Sequence, residues 1–129
     1  MARSANKQPR TIETDKAIEI AARAAGEKKA SDIVALDLSQ VATFTDYFLI
    51  CTGANPRQVT AIAEAVEECL RREGKRPLHS EGYANAEWVL LDYGNFIVHV
   101  FGPGSRRFYD LERLWRDARR IDFNEGEKG

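Results

Sequence analysis

Cysteine and histidine are scarce in this sequence, and each shortage closes off a class of function. The two cysteines, Cys51 and Cys69, are too few for a disulfide scaffold and too far apart for a C-x-x-C metal or redox motif, so they read as buried thiols of a reducing compartment. The two histidines, His79 and His99, have no second ligand at metal-binding spacing, and no metal or other cofactor is expected. Catalytic signatures are equally absent. There is no G-x-G-x-x-G, no Gly-rich loop ending in Lys-Ser or Lys-Thr, no D-x-D pair for two-metal chemistry, and no G-x-S-x-G elbow that would make a nucleophile of Ser80 beside His79. The expectation is a protein that is not an enzyme. No apolar run reaches membrane-spanning length, and the first ten residues, basic and acid-free, lack the apolar stretch of a secretory signal. A cytoplasmic protein with no membrane contact follows; the other reading of that arm is a brief organelle-targeting fragment.

Basic residues are missing from two further stretches. Between Ala30 and Pro56 the charged residues are Asp32, Asp37 and Asp46, and between Pro77 and Ser105 they are Glu81, Glu87 and Asp92. A net charge of −1 therefore conceals acidic strands set against basic helices and termini. Such strands repel phosphates and attract a basic protein.

At 129 residues and 43% hydrophobic content the chain fits one domain with a proper core. Residues 1–13 read as a disordered basic arm, 14–121 as the domain and 122–129 as a flexible tail. Ile18, Ala21, Ala22 and Ala25 mark a first helix beginning near Thr14. Asp32–Leu38 alternates as a strand, and Asp46–Thr52 is apolar on both parities, as a central strand is. Asn55 is placed to cap and Pro56 to start a second helix with the stripe Val59, Ile62, Ala63, Val66 and Leu70, closed by Gly74. The Gly53–Arg57 turn superficially resembles an anion site, but N-capping explains it more simply. Pro77–Glu81 reads as a short strand broken by Gly82. From Arg106 the period predicts one last helix, with Phe108, Leu111, Leu114, Trp115 and Ala118 inward, Tyr109, Arg113, Arg116 and Arg120 outward, and Glu112 paired with Arg116. This order gives an α/β fold: a single domain with a mixed sheet of about five strands and flanking helices.

The stretch 88–101, Trp-Val-Leu-Leu-Asp-Tyr-Gly-Asn-Phe-Ile-Val-His-Val-Phe, organises the rest. Gly94-Asn95 between two β-prone runs predicts a hairpin in which Tyr93 faces Phe96, and Asp92, Leu91, Leu90, Val89 and Trp88 face Ile97, Val98, His99, Val100 and Phe101 in turn. One face (Val89, Leu91, Tyr93, Phe96, Val98, Val100) is apolar enough to lie under helices. The other (Trp88, Leu90, Asp92, Ile97, His99, Phe101) mixes large rings with a carboxylate and an imidazole. It is either a binding surface with a Trp anchor or a second covered face.

Those residues carry a resemblance. Asp-Ile-Val-Ala-Leu-Asp-Leu, Thr-Asp-Tyr-Phe-Leu-Ile-Cys-Thr-Gly, Arg-Gln-Val-Thr-Ala-Ile-Ala, Glu-Gly, the hairpin itself and Arg-Arg-Phe-Tyr-Asp-Leu-Glu-Arg-Leu-Trp follow in the order found in the ribosomal silencing factor, or Iojap-like, family. The match spans roughly residues 14–118. It implies a nucleotidyltransferase-like topology without catalytic residues. It also implies binding to the large ribosomal subunit through its ribosomal protein fourteen, where the bound protein blocks joining of the small subunit and so represses translation when nutrients are scarce. Organellar relatives are associated with large-subunit assembly, and members are found as homodimers off the ribosome. The family's hairpin positions correspond to Trp88, Asp92, Tyr93, Gly94, His99 and Phe101, with Glu81 and Gly82 upstream. Combined with the face count, the expected partner-binding residues are Glu81, Trp88, Leu90, Asp92, His99 and Phe101. Asn95, where Asp is the usual residue, and the Ser-free turn at Gly53 depart from the family pattern. Two rival readings are an RNA-binding module, or an auxiliary ribosomal RNA contact, through Arg113, Arg116, Arg119 and Arg120, and a nucleotide-using enzyme.

Overall fold

The computed structural model describes residues 13–123, so the basic arm lies outside the described residues except for Glu13, as does the tail beyond Phe123. Among the described residues the chain runs α1 (Thr14–Glu27), β1 (Ser31–Asp37), β2 (Tyr47–Thr52), α2 (Pro56–Arg72), β3 (His79–Glu81), β4 (Trp88–Asp92), β5 (Phe96–Phe101), α3 (Pro103–Tyr109), α4 (Leu111–Leu114) and β6 (Arg119–Asp122). The strands form one six-stranded sheet in the order β3-β4-β5-β2-β1-β6. β2 and β5 are parallel neighbours, with α2, β3 and β4 between them in the chain, and every other pairing is antiparallel.

The two long helices form where the apolar period predicts. α1 buries Ala17, Ile18, Ala21, Ala22, Ala24 and Ala25, and α2 buries Val59, Ile62, Ala63, Val66 and Leu70. The alanines of α1 let it lie close against α2 and the sheet. At the start of α2 the Gln58 amide donates to Asn55 Oδ1 at 2.9 Å, while Gln58 Oε1 accepts from the Ala54 amide at 2.6 Å. These bonds occupy the turn's amides from within the chain. Both helices pack on one side of the sheet, over Ala35, Leu49, Cys51, Val89, Leu91, Phe96, Val98 and Val100.

The hairpin has the register counted from the sequence, Trp88 opposite Phe101 through to Asp92 opposite Ile97, and its core-side residues are fully buried except for half-buried Tyr93. Gly94 turns it at φ +86°, held by the Asp92 carboxylate, whose Oδ1 accepts from the Gly94 amide at 2.8 Å.

The C-terminal part differs from its expectation. In place of one helix from Arg106, two short helices are separated by Asp110, whose backbone is left-handed at φ 48°, and the chain then extends into β6 along β1. The sheet thus has six strands. Asp122, expected in the tail, is part of β6, and the Phe123 amide donates to the Ile33 carbonyl at 2.9 Å. The physical reason lies in β1. Ile33, Val34, Ala35 and Leu36 are buried, so β1 is apolar on both faces, and pairing its outer backbone groups with β6 satisfies them inside the fold. The break at Asp110 also resets the helical phase. Leu111 and Trp115 pack inward as expected, but Phe108 and Leu114 turn outward, 79% and 69% exposed. Glu112 pairs not with Arg116 but with Arg106 and Arg120.

Gly82, at φ +98°, lets the chain cross beside the start of β4; a Cβ there would lie 1.9 Å from the Trp88 carbonyl oxygen. Neither the left-handed backbone nor the contact tolerates a side chain. Gly82→Ala is expected to lower unfolding free energy by at least about 2 kcal/mol. Urea denaturation checks this, and a wild-type midpoint would mean that the backbone relaxes freely around the new methyl group.

Candidate docking face

The helix-free side of the sheet is built from three cross-strand rows: Glu81, Leu90, His99 and Ile50; His79, Asp92, Ile97 and Phe48; and Trp88, Phe101 and Thr52. Strand pairing places each row on one face. The face divides in two. Over β1 and β2, the loop after Leu38 and the C-terminal segment cover a second apolar cluster of Val34, Leu36, Leu38, Phe48, Ile50 and Phe101, against which Ala42, Leu111, Trp115 and Ala118 pack. Over β3 and β4 that cover ends. Glu81 is exposed, and Trp88, Leu90, Asp92 and Ile97 are half-buried.

The six expected binding residues therefore fall into two layers. Glu81, Trp88, Leu90 and Asp92 reach the surface, whereas His99 and Phe101 are 3% and 0% exposed. Of the two readings of this face, open or covered, each holds for a part of it, and His99 and Phe101 lie in the covered part. Phe101 is roofed by Trp88, with ring centroids 5.0 Å apart and planes 29° apart, and Tyr109 lies 4.5 Å from Trp88 and 6.4 Å from Phe101. His99 lies under the same indole. Trp88 Nε1 donates to His99 Nδ1 at 3.1 Å, which fixes the neutral imidazole with its proton on Nε2. Nε2 is buried with no hydrogen-bond partner among the described residues, and the Phe48 ring stands edge-on to the imidazole at 4.4 Å. Burial pushes the imidazole's pKa down from 6.5 to about 3.

The two acids among these residues, Asp92 and Glu81, each have a local partner. Asp92 closes the hairpin turn as well as carrying charge, and Glu81 Oε2 is 2.6 Å from His79 Nε2. Asp37, Asp46 and Asp92 do not converge. Two strands separate β1 from β4, about 14 Å at ordinary strand spacing, and Asp37 is engaged with Ser39 and Arg119, which hold its carboxyl below the usual range. Among the described residues no group of three His, Cys, Asp or Glu gathers to hold a metal ion.

The C-terminal segment that limits the open area is fastened by Arg106. Its guanidinium meets Glu112 at 2.9 Å through both Nε and Nη2, while Nη1 donates to the Asp32 carbonyl at 3.0 Å and to Thr52 Oγ1 at 2.8 Å. The Arg106 bonds, then burial working in the opposite direction and the charges of Arg106 and Arg120, leave the Glu112 carboxyl below its ordinary range. Sequence reasoning missed this clamp because Glu112 and Arg106 are six residues apart, a spacing with no meaning on one continuous helix. It also missed that Arg119 and Arg120 belong to a strand. Both are engaged with acids, Arg119 with Asp37 and Arg120 with Glu112 and Asp122, so the four arginines do not form one helical face.

These features define a single-domain α/β protein whose mixed sheet carries two helices on one side and a half-open aromatic and acidic surface on the other. Residues 11–129 match the family described as RsfS, ribosomal silencing factor during starvation, and the chain belongs to that family. It is 42% identical over 109 residues to the ribosomal silencing factor RsfS of Bacillus subtilis, covering 84% of this chain and 92% of that one. It is 33% identical over 101 residues to the chloroplastic protein Iojap of Zea mays, covering 78% of this chain and 44% of that longer one. A crystal structure of a protein from Chromobacterium violaceum superposes with a TM-score of 0.79 at 35% identity, over 89% of this chain and 95% of that one.

The buried imidazole makes stability depend on pH in a defined window. Unfolded His99 takes up a proton below its ordinary value of 6.5, whereas the folded residue resists protonation until about 3, so its contribution is complete above 6.5 and declines as the pH falls between those values. Asp37 and Glu112 lose their contributions only below their ordinary values of 3.8 and 4.5. Urea unfolding at about pH 7.5 and about pH 5 is expected to show lower stability at the acid value, with a shallower dependence in His99→Gln. Equal pH dependence in the two proteins would remove His99 as the cause.

Proposed function

We propose that this protein silences translation by binding the large ribosomal subunit through ribosomal protein fourteen, with the open half of the sheet as the contact surface and the bulk of the domain blocking the small subunit. The observation that carries this reading is the composition of the open face in a chain of this family. Trp88 is held by a hydrogen bond and three ring contacts, Leu90 and Ile97 lie half-exposed beside it, and the charges along residues 77–105 are exclusively acidic. A pre-oriented Trp among partly exposed aliphatics has the character of an interface hot spot, and acidic surroundings favour a basic ribosomal protein over RNA phosphates. Occlusion needs no reaction. It needs only a tight, correctly oriented contact. Among the described residues no helix is long and apolar enough to cross a membrane.

In this arrangement His99 and Phe101 act from below. Phe101 supplies the floor on which the indole rests, and His99 fixes its rotation. Asp92 has two roles, so its variants need separating. Asp92→Asn keeps an acceptor for the Gly94 amide while removing charge, and Asp92→Lys reverses the charge but gives up that acceptor.

Binding to separated ribosomal subunits tests the reading. The wild-type protein is expected to sediment with large subunits and not small ones. Trp88→Ala should weaken binding by about 2 kcal/mol or more, roughly thirtyfold, in a protein that still folds. Asp92→Asn should weaken it modestly, and Asp92→Lys more, with the loss most pronounced at low salt. Wild-type binding to neither subunit would refute the proposal. Full affinity in folded Trp88→Ala would move the contact elsewhere on the domain.

A further inference from the structure

Phe108 is the most exposed large hydrophobic side chain of the described chain, at 79%, yet it is not loosely placed. Its ring meets Tyr109 edge-on, with centroids 4.9 Å apart and planes 89° apart, and Tyr109 in turn lies 4.5 Å from Trp88. The three aromatics form a continuous shelf running from β4 onto α3. Two residues before Phe108, Arg106 carries the four-bond clamp to Glu112, Asp32 and Thr52. Two residues after it, the left-handed Asp110 ends α3 and returns its amide to the Arg106 carbonyl at 3.0 Å. α3 itself has no buried residues. Its position is thus set by the Arg106 clamp and the aromatic contacts, and what it holds in place is a bare ring.

We propose that Phe108, with Tyr109 and Trp88, forms the second half of the docking surface and receives a cationic side chain, Arg or Lys, from the basic protein partner. The inference rests on the silencing reading above and extends its contact surface from the sheet onto α3. The argument for a cation is one of charge and ring chemistry. Glu81 lies on the adjoining strand β3 and Asp92 at the far end of β4, and no Lys or Arg occurs from Leu78 to Gly104. Aromatic faces attract a guanidinium or ammonium group through their quadrupole, and nearby carboxylates strengthen the field. Arg107 is exposed beside Phe108, but successive helical residues diverge by about 100°, so it does not share the ring's side of α3. Phe44, 56% exposed on the same side of the sheet, provides the comparison. It makes tilted ring contacts with Phe48 and Trp115 at the covered end and is not part of this shelf.

Four variants of the full chain, Phe108→Ala, Phe108→Tyr, Phe108→Leu and Phe44→Ala, are measured for affinity to large subunits, for oligomeric state and for urea midpoint. Phe108→Ala should bind about tenfold more weakly or worse with an unchanged midpoint, because the ring makes few contacts within its own fold. Phe108→Tyr should keep wild-type affinity, Phe108→Leu should fall with the alanine variant, and Phe44→Ala should bind as wild type. Wild-type affinity in Phe108→Ala, while Trp88→Ala is weakened, would overturn the extension and leave the silencing reading standing. Full affinity in Phe108→Leu would replace the cation with an apolar contact and overturn the proposed partner chemistry. A change in oligomeric state with ribosome affinity intact would assign Phe108 to a second copy of this chain instead. No wild-type binding to large subunits would defeat the silencing reading and this inference with it.

Discussion

The guanidinium of Arg106 joins the beginning of β1, the end of β2 and the helix that follows its own, and the helix-free side of the sheet depends on it. Half of that side is apolar core and the other half is open. The boundary is wherever the C-terminal segment stops. That segment is weakly anchored by burial, since neither of its short helices has a fully buried residue, so a small number of directional bonds carry much of its placement. A paired, half-buried ion pair suits this task. Its net contribution to stability is modest because both charges lose solvent, but its geometry is specific, and removing either partner alone would leave the other charge poorly solvated. The irregular backbone at Asp32, left-handed at φ 51° beside the bulge in β1, belongs to the same arrangement, because its carbonyl is one of the acceptors.

From this constraint the layering of the docking face follows. With the C-terminal segment in place, Tyr109 reaches Trp88 and Trp115 reaches Phe44 and Phe48, so Phe101 and His99 are sealed beneath the first ring contact while Leu90 and Asp92 stay at the surface. A buried neutral histidine with one unfilled donor is a costly way to occupy a sheet position. What it supplies is an acceptor at the one place where the Trp88 indole N–H would otherwise lie against apolar strands. The cost in stability is exchanged for a fixed orientation of the largest surface ring.

The fold was legible wherever local chemistry repeated. The alanine and aliphatic stripes located α1 and α2, Asn55-Pro56 located the start of α2, and Gly94-Asn95 set a hairpin register that the ladder reproduces residue by residue. The layers of the face were less legible, because strand parity separates two sides of a sheet but says nothing of what lies over either side. Trp88 and Phe101 share a face, yet one is half-buried and the other fully buried for that reason. The last part of the chain was misread because Phe108, Leu111, Leu114 and Trp115 fit a continuous helical period. Nothing in that period signals that Asp110 takes a left-handed conformation or that Arg119–Asp122 completes a sheet more than eighty residues away in sequence. Long-range pairing overrode local periodicity there.

The edges of the sheet explain why binding and folding do not conflict. An open apolar sheet face beside a free edge invites pairing with other chains, yet β3, the edge nearest the docking surface, is three residues long, fully exposed, and carries the His79–Glu81 pair; at the opposite edge β6 presents Arg119, Arg120 and Asp122. Short, charged edges discourage strand addition. In the proposed contact, association falls on side chains rather than on the backbone edges: a clamped indole, the aliphatics beside it and the acids around them. Recognition through side chains of fixed geometry discriminates among partners by shape and charge, whereas an exposed backbone edge accepts any extended chain. For a protein whose proposed action is to sit at one place on one ribosomal subunit, that distinction decides whether the surface is useful.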